Sequence, residues 1–410
     1  MNDNKKFKNK IIKINKSIAS GCVSAPPSKS YAHRMLIASL LSNENCVVKN
    51  VSMSNDIIAS INCIKALGKD VVISKDCIYV NNGNNVLNDE LVFDCLESGS
   101  TLRFFIPIAC LTGKKLIFKG SKRLIERGIG VYEEIFKKQN ISLIKEEDRY
   151  IIEGKLQSDD FYVSANISSQ FISGLLFALP LLDGDSKIII TSDMESKNYI
   201  DITIDVLRQA GINIEYKDNV FYIKGNQKYK SLEYVVEGDW SNSAFLEAFN
   251  YFGSNVIVDG LNDRSCQGDK VYREYFDILN KGYACIDIKN CIDLGPVLFC
   301  FSALKYGAKF INTARLKIKE SDRVKDLASE LAKFNVLVID NGNEVIIDNK
   351  GLKEADCLLS GKNDHRIVMA LSLMLSVFGG ELEGYEAVNK SYPNFFEDLK
   401  KLGLEVEYVR

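Results

Sequence analysis

Histidine is scarce in this chain: there are 2 among 410 residues, beside 11 cysteines that form no CxxC pair. Neither a zinc-ligand set nor a disulfide framework can be read from that supply. Scattered thiols of this kind fit a reduced, cytoplasmic compartment. An excess of one charge is also missing. The 52 Lys and Arg are matched by 54 Asp and Glu, a net charge of −2. That argues against a surface built for nucleic acid and leaves room for a local basic site. Long apolar runs are absent too. FISGLLFALPLL, from Phe171, is interrupted by Gly174 and Pro180 and falls short of the roughly 18 residues that a membrane span needs. The opening MNDNKKFKNKIIKIN has no apolar h-region, so no secretory signal is expected.

What is present is repetition. At 410 residues the chain exceeds the roughly 250–300 that one core supports, so two or more domains are expected. Six segments share one form: a small polar or acidic helix start, an apolar helix, then a turn and a β-like run. They begin at Ser28, Ser98, Ser168, Ser241, Asp293 and Asp364, with steps of roughly 70 residues and one shorter step between the fourth and fifth. Ser and Asp at such starts can accept the unpaired N–H groups of a first helical turn. The apolar stretches behind them are hydrophobic nearly all round, as in a helix packed inside a domain. Each unit adds a second, amphipathic helix, such as YIDITIDVLRQAG or RVKDLASELAKFN, and usually a hairpin. The last unit stops early, at LEVEYVR, and the piece it lacks resembles the first segment, KNKIIKINKSIASG. The expected organisation is therefore one domain over 26–236 and a discontinuous second domain made of 1–25 and 237–410.

Helix N-termini suit phosphate and carboxylate, and basic or hydroxyl residues stand at most of these starts. PPSKSYAHR brings Lys29, Ser30 and Arg34, without the glycines of a P-loop. ESGSTLR brings hydroxyls around Gly99, whose missing side chain permits close approach to a ligand. The nearby RLIERG brings Arg123 and Arg127, and SSQ brings Ser168, Ser169 and Gln170. RLKIKESDR packs Lys317, Lys319, Glu320 and Arg323 downstream of Asp293; NDHR brings His365 and Arg366; Lys390 precedes an aromatic stretch. Taken singly, each is a capped helix with solvated charges.

Taken in order, PPSKSYAHR, SGSTLR, SSQFISGLL, SKNYIDIT, KESDR, NDHR and KSYPNFFEDL resemble the EPSP synthase family of enolpyruvyl transferases, from about Gly21 to Leu399. The resemblance implies an α/β (α+β) fold of two similar domains. Each would hold three βαβαββ repeats about a pseudo-threefold axis, with the active site in the interdomain cleft. It implies transfer of the enolpyruvyl group of phosphoenolpyruvate to the 5-hydroxyl of shikimate 3-phosphate, by a cytoplasmic monomer needing no metal and no cofactor, nucleic acid or membrane. Residue by residue, it implies that Lys29 touches both substrates. Ser30, Arg34, Ser168, Ser169, Gln170, Ser196, Asp293 and Lys319 would serve shikimate 3-phosphate, with Tyr199 as a wall. Gly99, Arg127, Gln170, Arg323, Arg366 and Lys390 would serve phosphoenolpyruvate. Asp293 and Glu320 resemble the acid–base pair, assisted by His365, with Lys29 also catalytic. The role of Arg315 is left open. The nearest alternative, a UDP-N-acetylglucosamine enolpyruvyl transferase, usually carries a reactive cysteine near its phosphoenolpyruvate arginine, and Gly120–Gly130 contains none.

Overall fold

The computed structural model describes residues 10–83 and 87–409. The first nine residues of the N-terminal segment and of the expected second domain lie outside the described ones.

Alternation places the strands. In Glu90–Asp94 and Lys115–Lys119, Leu91, Phe93, Leu116 and Phe118 are buried between more exposed neighbours, the period of two expected of a half-buried strand. The two strands pair in parallel, and Phe93 stacks on Phe118 at 4.5 Å. A parallel pair needs a crossover, and helix Gly99–Ala109 supplies it. Helix Gly130–Lys138 follows, then the hairpin Ser142–Lys145 and Arg149–Glu153. The result is a βαβαββ unit with spatial order first, second, fourth, third. The sheet from Asp160–Val163 to Val220–Ile223 has the same order, as does that from Ala284–Asp287 to Glu344–Asp348.

Two sheets are completed by strands distant in sequence. Glu233–Val235 pairs in parallel with Cys46–Lys49 and takes the first place in its sheet. Ile11–Ile14 pairs antiparallel with both Gly380–Glu383 and Val406–Tyr408, lying between them in the last sheet, where the fourth strand of the other repeats lies. In the fourth repeat, Ser20–Ser24 and Asn255–Asp259 form a two-stranded parallel sheet among the described residues. Helix Tyr272–Lys281 there leads directly into Ala284–Asp287, the opening strand of the fifth repeat. The missing hairpin accounts for the shorter step in the sequence.

The chain divides into two compact units. One runs Pro27–Asp239 with Asn262–Gly268; the other holds the chain up to Pro26, Trp240–Leu261 and the chain from Asp269 onward. Each has its own apolar core. The sequence boundary placed all of 237–410 in one domain and Pro26 in the other, whereas Glu237–Asp239 and Asn262–Gly268 group with the first unit and Pro26 with the second. Glu237 explains this: it accepts from Asn262 Nδ2 at 2.9 Å and Gln267 Nε2 at 2.6 Å, and also bonds the Ser265 hydroxyl. None of the described helices is long and apolar enough to cross a membrane.

Candidate functional site

In the first unit, most of the candidate side chains stand at the starts of three apolar helices. Ser28 caps Lys29–Leu41, Ser98 caps Gly99–Ala109 and Ser168 caps Ser169–Ala178, each accepting a first-turn N–H. None of the three carries a carboxylate in its own first turn, although the Asp239 carboxylate accepts from the Lys29 N–H at 3.1 Å and partly offsets the positive end of the first helix. The Lys29 ammonium lies 2.8 Å from Asp56, with the two side chains 17% and 11% exposed. The pair is held in place yet reachable.

Arg34 is buried. It donates to Thr203 Oγ1 at 2.7 Å, to the Ser30 carbonyl at 2.8 Å and to the Tyr199 carbonyl at 2.9 Å. Burial pulls its pKa down to about 10, with Tyr199 and Tyr31 acting in the opposite direction, so it stays charged at neutral pH. Three of its five N–H donors are thus engaged, two fixing the backbones of Ser30 and Tyr199 and one holding the Thr203 hydroxyl. Ser196 precedes helix Lys197–Gln209 in the left-handed conformation, φ 54° and ψ 40°, and is buried. A non-glycine residue there carries strain of order 1–3 kcal/mol, a common mark of a functional position.

Gln170 links two helix starts: it accepts from Arg103 at 2.6 Å and donates to Ser100 Oγ at 2.9 Å. Arg103 did not stand out in the sequence. It is buried over the Phe171 ring at 5.1 Å, and its carbonyl accepts from Tyr132 Oη at 2.6 Å. Its signal was its place one turn after Gly99 in an otherwise apolar helix. Gly99 itself is needed for Arg127: an added Cβ would stand 3.0 Å from both terminal guanidinium nitrogens. Gly99→Ala is therefore expected to push Arg127 aside by a few tenths of an ångström. If Arg127 and Ser168–Gln170 hold different ligands, the expected outcome is a KM raised about tenfold or less for the ligand at Arg127, with the other KM unchanged. Steady-state kinetics with each ligand varied in turn checks it.

Beneath these residues runs a buried hydroxyl chain. His33 Nδ1 lies 2.8 Å from Ser60 Oγ, which lies 2.9 Å from Thr101 Oγ1, which bonds Ser98 Oγ at 2.8 Å. Burial, with the charges of Lys29 and Arg34, holds the His33 pKa well below 6.5. His33 is neutral when folded and takes up a proton on unfolding. Its stability contribution is complete above pH 6.5 and is lost progressively below it. Between pH 6.5 and 5, His33→Gln should flatten the fall in unfolding free energy by up to about 1.4 kcal/mol per pH unit. Urea titrations at several pH values measure this slope.

In the second unit the geometry centres on Arg323, whose side chain is 1% exposed. It bonds Asp293 at 2.9 Å, Glu320 at 2.8 Å and Asp364 at 2.8 Å. Burial alone would lower its pKa; Asp364, Glu320 and Asp293 outweigh burial and raise it. Lys319 lies 3.2 Å and Arg366 3.4 Å from Asp293. Burial holds Lys319 below its ordinary pKa, with Asp293 opposing and Arg323 assisting. Lys390 donates to the Asn363 carbonyl. His365 is buried, its Nδ1 3.8 Å from Asp364 Oδ1. Arg315 is buried and donates to the Lys289 carbonyl.

Two features differ from the sequence reading. Asp293 was expected to start its helix. It lies instead in the 3₁₀ turn Ile292–Leu294, and the helix is Gly295–Leu304. Pro296 suits a first helical turn because its missing N–H is not needed there. Asp293 is thereby left to the cations. Asp364, read only as a cap, accepts the Arg366 N–H at 2.9 Å as a cap does and in addition bonds Ser321 Oγ at 3.1 Å. Fully buried, it would be pushed up by burial; Arg323 reverses this, and it sits below the usual carboxylate range.

The sequence profile of EPSP synthase (3-phosphoshikimate 1-carboxyvinyltransferase) matches residues 14–399. A 3-phosphoshikimate 1-carboxyvinyltransferase of Clostridium kluyveri is 40% identical, aligned over 97% of this chain and 98% of its own. One from Clostridium perfringens is 41% identical, over 95% and 97%. The fold is similar to that of an EPSP synthase structure from Acinetobacter baumannii, with TM-score 0.79 and 19% identity over 98% of this chain and all of that one.

Proposed function

The chain belongs to the EPSP synthase family, and from that membership we propose which of its side chains carry the reaction. The enzyme transfers the enolpyruvyl group of phosphoenolpyruvate to the 5-hydroxyl of shikimate 3-phosphate, releasing phosphate, in the shikimate pathway to the aromatic amino acids. The alternative nucleotide-sugar acceptor is not favoured.

Two phosphates and two carboxylates must be bound together, so their repulsion has to be offset by several cations. The first unit serves mainly shikimate 3-phosphate: Ser168, Ser169 and Gln170 at one helix start, Ser196 at another, with Ser30 and the remaining donors of Arg34 on its carboxylate side and Tyr199 as a wall. Lys319 is assigned to shikimate 3-phosphate as well. Arg127, Arg323, Arg366 and Lys390 receive phosphoenolpyruvate, where planar guanidinium forks suit its carboxylate and phosphate. Gly99 allows the approach and Lys29 touches both substrates.

Asp293 takes the proton of the 5-hydroxyl as its oxygen attacks C2, and the departing phosphate later carries that proton away. Glu320 delivers the proton to C3. The tetrahedral adduct then loses phosphate and the C3 proton, so the acid of the first step is the base of the second. His365 assists beside Asp364. The carrying observation is that one buried guanidinium, Arg323, contacts both Asp293 and Glu320, tying the cation for phosphoenolpyruvate to both candidate proton carriers. We further infer a cytoplasmic monomer, supported for the compartment by eleven free cysteines.

Phosphate release tests the reading. It is expected only when phosphoenolpyruvate and shikimate 3-phosphate are both present, and not with UDP-N-acetylglucosamine as acceptor. No release with the first pair overturns it.

A further inference from the structure

One cavity shares no lining residue with the sites assigned above. It lies at one end of the sheet that runs from Asp160–Val163 to Val220–Ile223. It encloses about 720 Å³, within the roughly 300–1,000 Å³ of small-molecule sites. Ile204 and Leu207, on helix Lys197–Gln209, line one side; Ile212, Ile214 and Ile223 line another. Among these apolar side chains stands Ser186, 3% exposed, whose Oγ has no hydrogen-bond partner. Register explains its direction. Ser186 lies opposite Ile223, and Ile223 opposite Ile214. It alternates with Lys187 and so falls on the core-facing row with Ile188 and Ile190. A buried hydroxyl left unpaired costs roughly 1–3 kcal/mol.

The rim is charged but mostly self-neutralised. Lys187 pairs with Asp160 at 3.5 Å and Lys224 with Asp185 at 2.6 Å. Arg208 and Glu215 also line the cavity, both exposed and neither in an ion pair among the described residues, and Arg208 is the cation left to receive an anion.

We propose that this cavity is a binding site for a small organic carboxylate with an apolar ring. The ring lies against the isoleucines, the carboxylate binds Arg208, and a hydroxyl at the far end of the ring binds Ser186. The site is separate from the catalytic residues: Ser196, at the other end of the same helix, is twelve positions from Arg208, about 18 Å at ~1.5 Å per residue.

The probes are 3-phenylpropionate, 3-(4-hydroxyphenyl)propionate and 3-phenylpropanamide, titrated into the intact chain labelled at isoleucine δ1 methyls. Saturable shifts are expected at Ile204, Ile212, Ile214 and Ile223, with saturating shikimate 3-phosphate present as well as absent. The amide should bind about fivefold or more weakly, and Arg208→Gln should weaken the carboxylates by a similar factor. The 4-hydroxyl should tighten binding severalfold, and Ser186→Ala should remove that gain while leaving 3-phenylpropionate unaffected. Arg208→Gln is a surface change, so folding is not at stake in that arm. The proposal is overturned if none of the probes moves these methyls, if Arg208→Gln binds as the parent does, or if shikimate 3-phosphate displaces the probe. Because binding is read without turnover, its failure is distinct from failure of the assigned reaction.

Discussion

Glu320→Gln nearly abolishes solvent-deuterium incorporation at C3 of products derived from phosphoenolpyruvate, while both substrates still bind. Asp293→Asn also slows turnover, but exchange at C3 from preformed tetrahedral intermediate survives better. Losing a general acid–base group costs roughly 10²–10⁴ in rate, enough to separate the two variants by mass spectrometry. The expectation rests on reach. Asp293 and Glu320 are 18% and 19% exposed, whereas Asp364, the third carboxylate on Arg323, is fully buried. The first two can meet substrate and the third cannot. A bland alternative makes all three mere partners of one guanidinium. Neutralising either accessible carboxylate would then disturb the same cation, and both variants would lose exchange alike. Exchange at the parent rate in Glu320→Gln would show that another group carries the C3 proton.

Asp364→Ala destabilises the second unit by about 3–5 kcal/mol, the cost of removing one partner from a buried ion pair. The loss is compounded because the same side chain caps helix His365–Phe378. Asp364→Asn separates these contributions: its amide oxygen can still accept the Arg366 N–H, so the cap is kept while the charge and the acceptance from Arg323 Nε and Ser321 Oγ are lost. Both variants should raise the KM for phosphoenolpyruvate, since Arg323 loses an anchor, while that for shikimate 3-phosphate changes little. Asp364 has a depressed pKa, so its stabilisation is complete above the ordinary carboxylate range and fades only as pH falls through its folded value. Urea unfolding at neutral pH decides the matter. A loss below about 1 kcal/mol for Asp364→Ala would mean that Arg323 is adequately held by Asp293 and Glu320 alone.

The helix starts were legible because capping is local. A Ser or Asp before an apolar run needs only the next three residues to act, and Ser28, Ser98, Ser168 and Asp364 do so. The strand Ile11–Ile14 was legible because the last repeat visibly lacked a piece. What escaped depends on partners far away in sequence. Nothing near Glu237 announces Ser265 and Gln267, so the Asn262–Gly268 segment was assigned to the wrong unit. Arg103 looks like one more charge until Gln170 and Phe171 close over it. His33 reads as part of a basic motif, yet its role is fixed by Ser60 and Thr101, on two other helices. Asp293 misled for a local reason: the Gly295–Pro296 pair starts the helix after it.

The strand Ile11–Ile14 also sets an order of events during synthesis. Its partners Gly380–Glu383 and Val406–Tyr408 are made some 366 residues later, counting from Ile14 to Gly380. At ~5–20 residues per second that is roughly 20–70 s. During this interval the strand has no neighbour on either side, while the whole of Pro27–Asp239 has been translated. The first unit can therefore fold on the ribosome before the second has its full set of strands. The waiting segment is short and carries Lys10, Lys13 and Lys16 among its isoleucines, and lysines along an unpaired strand are a common guard against pairing with the wrong chain.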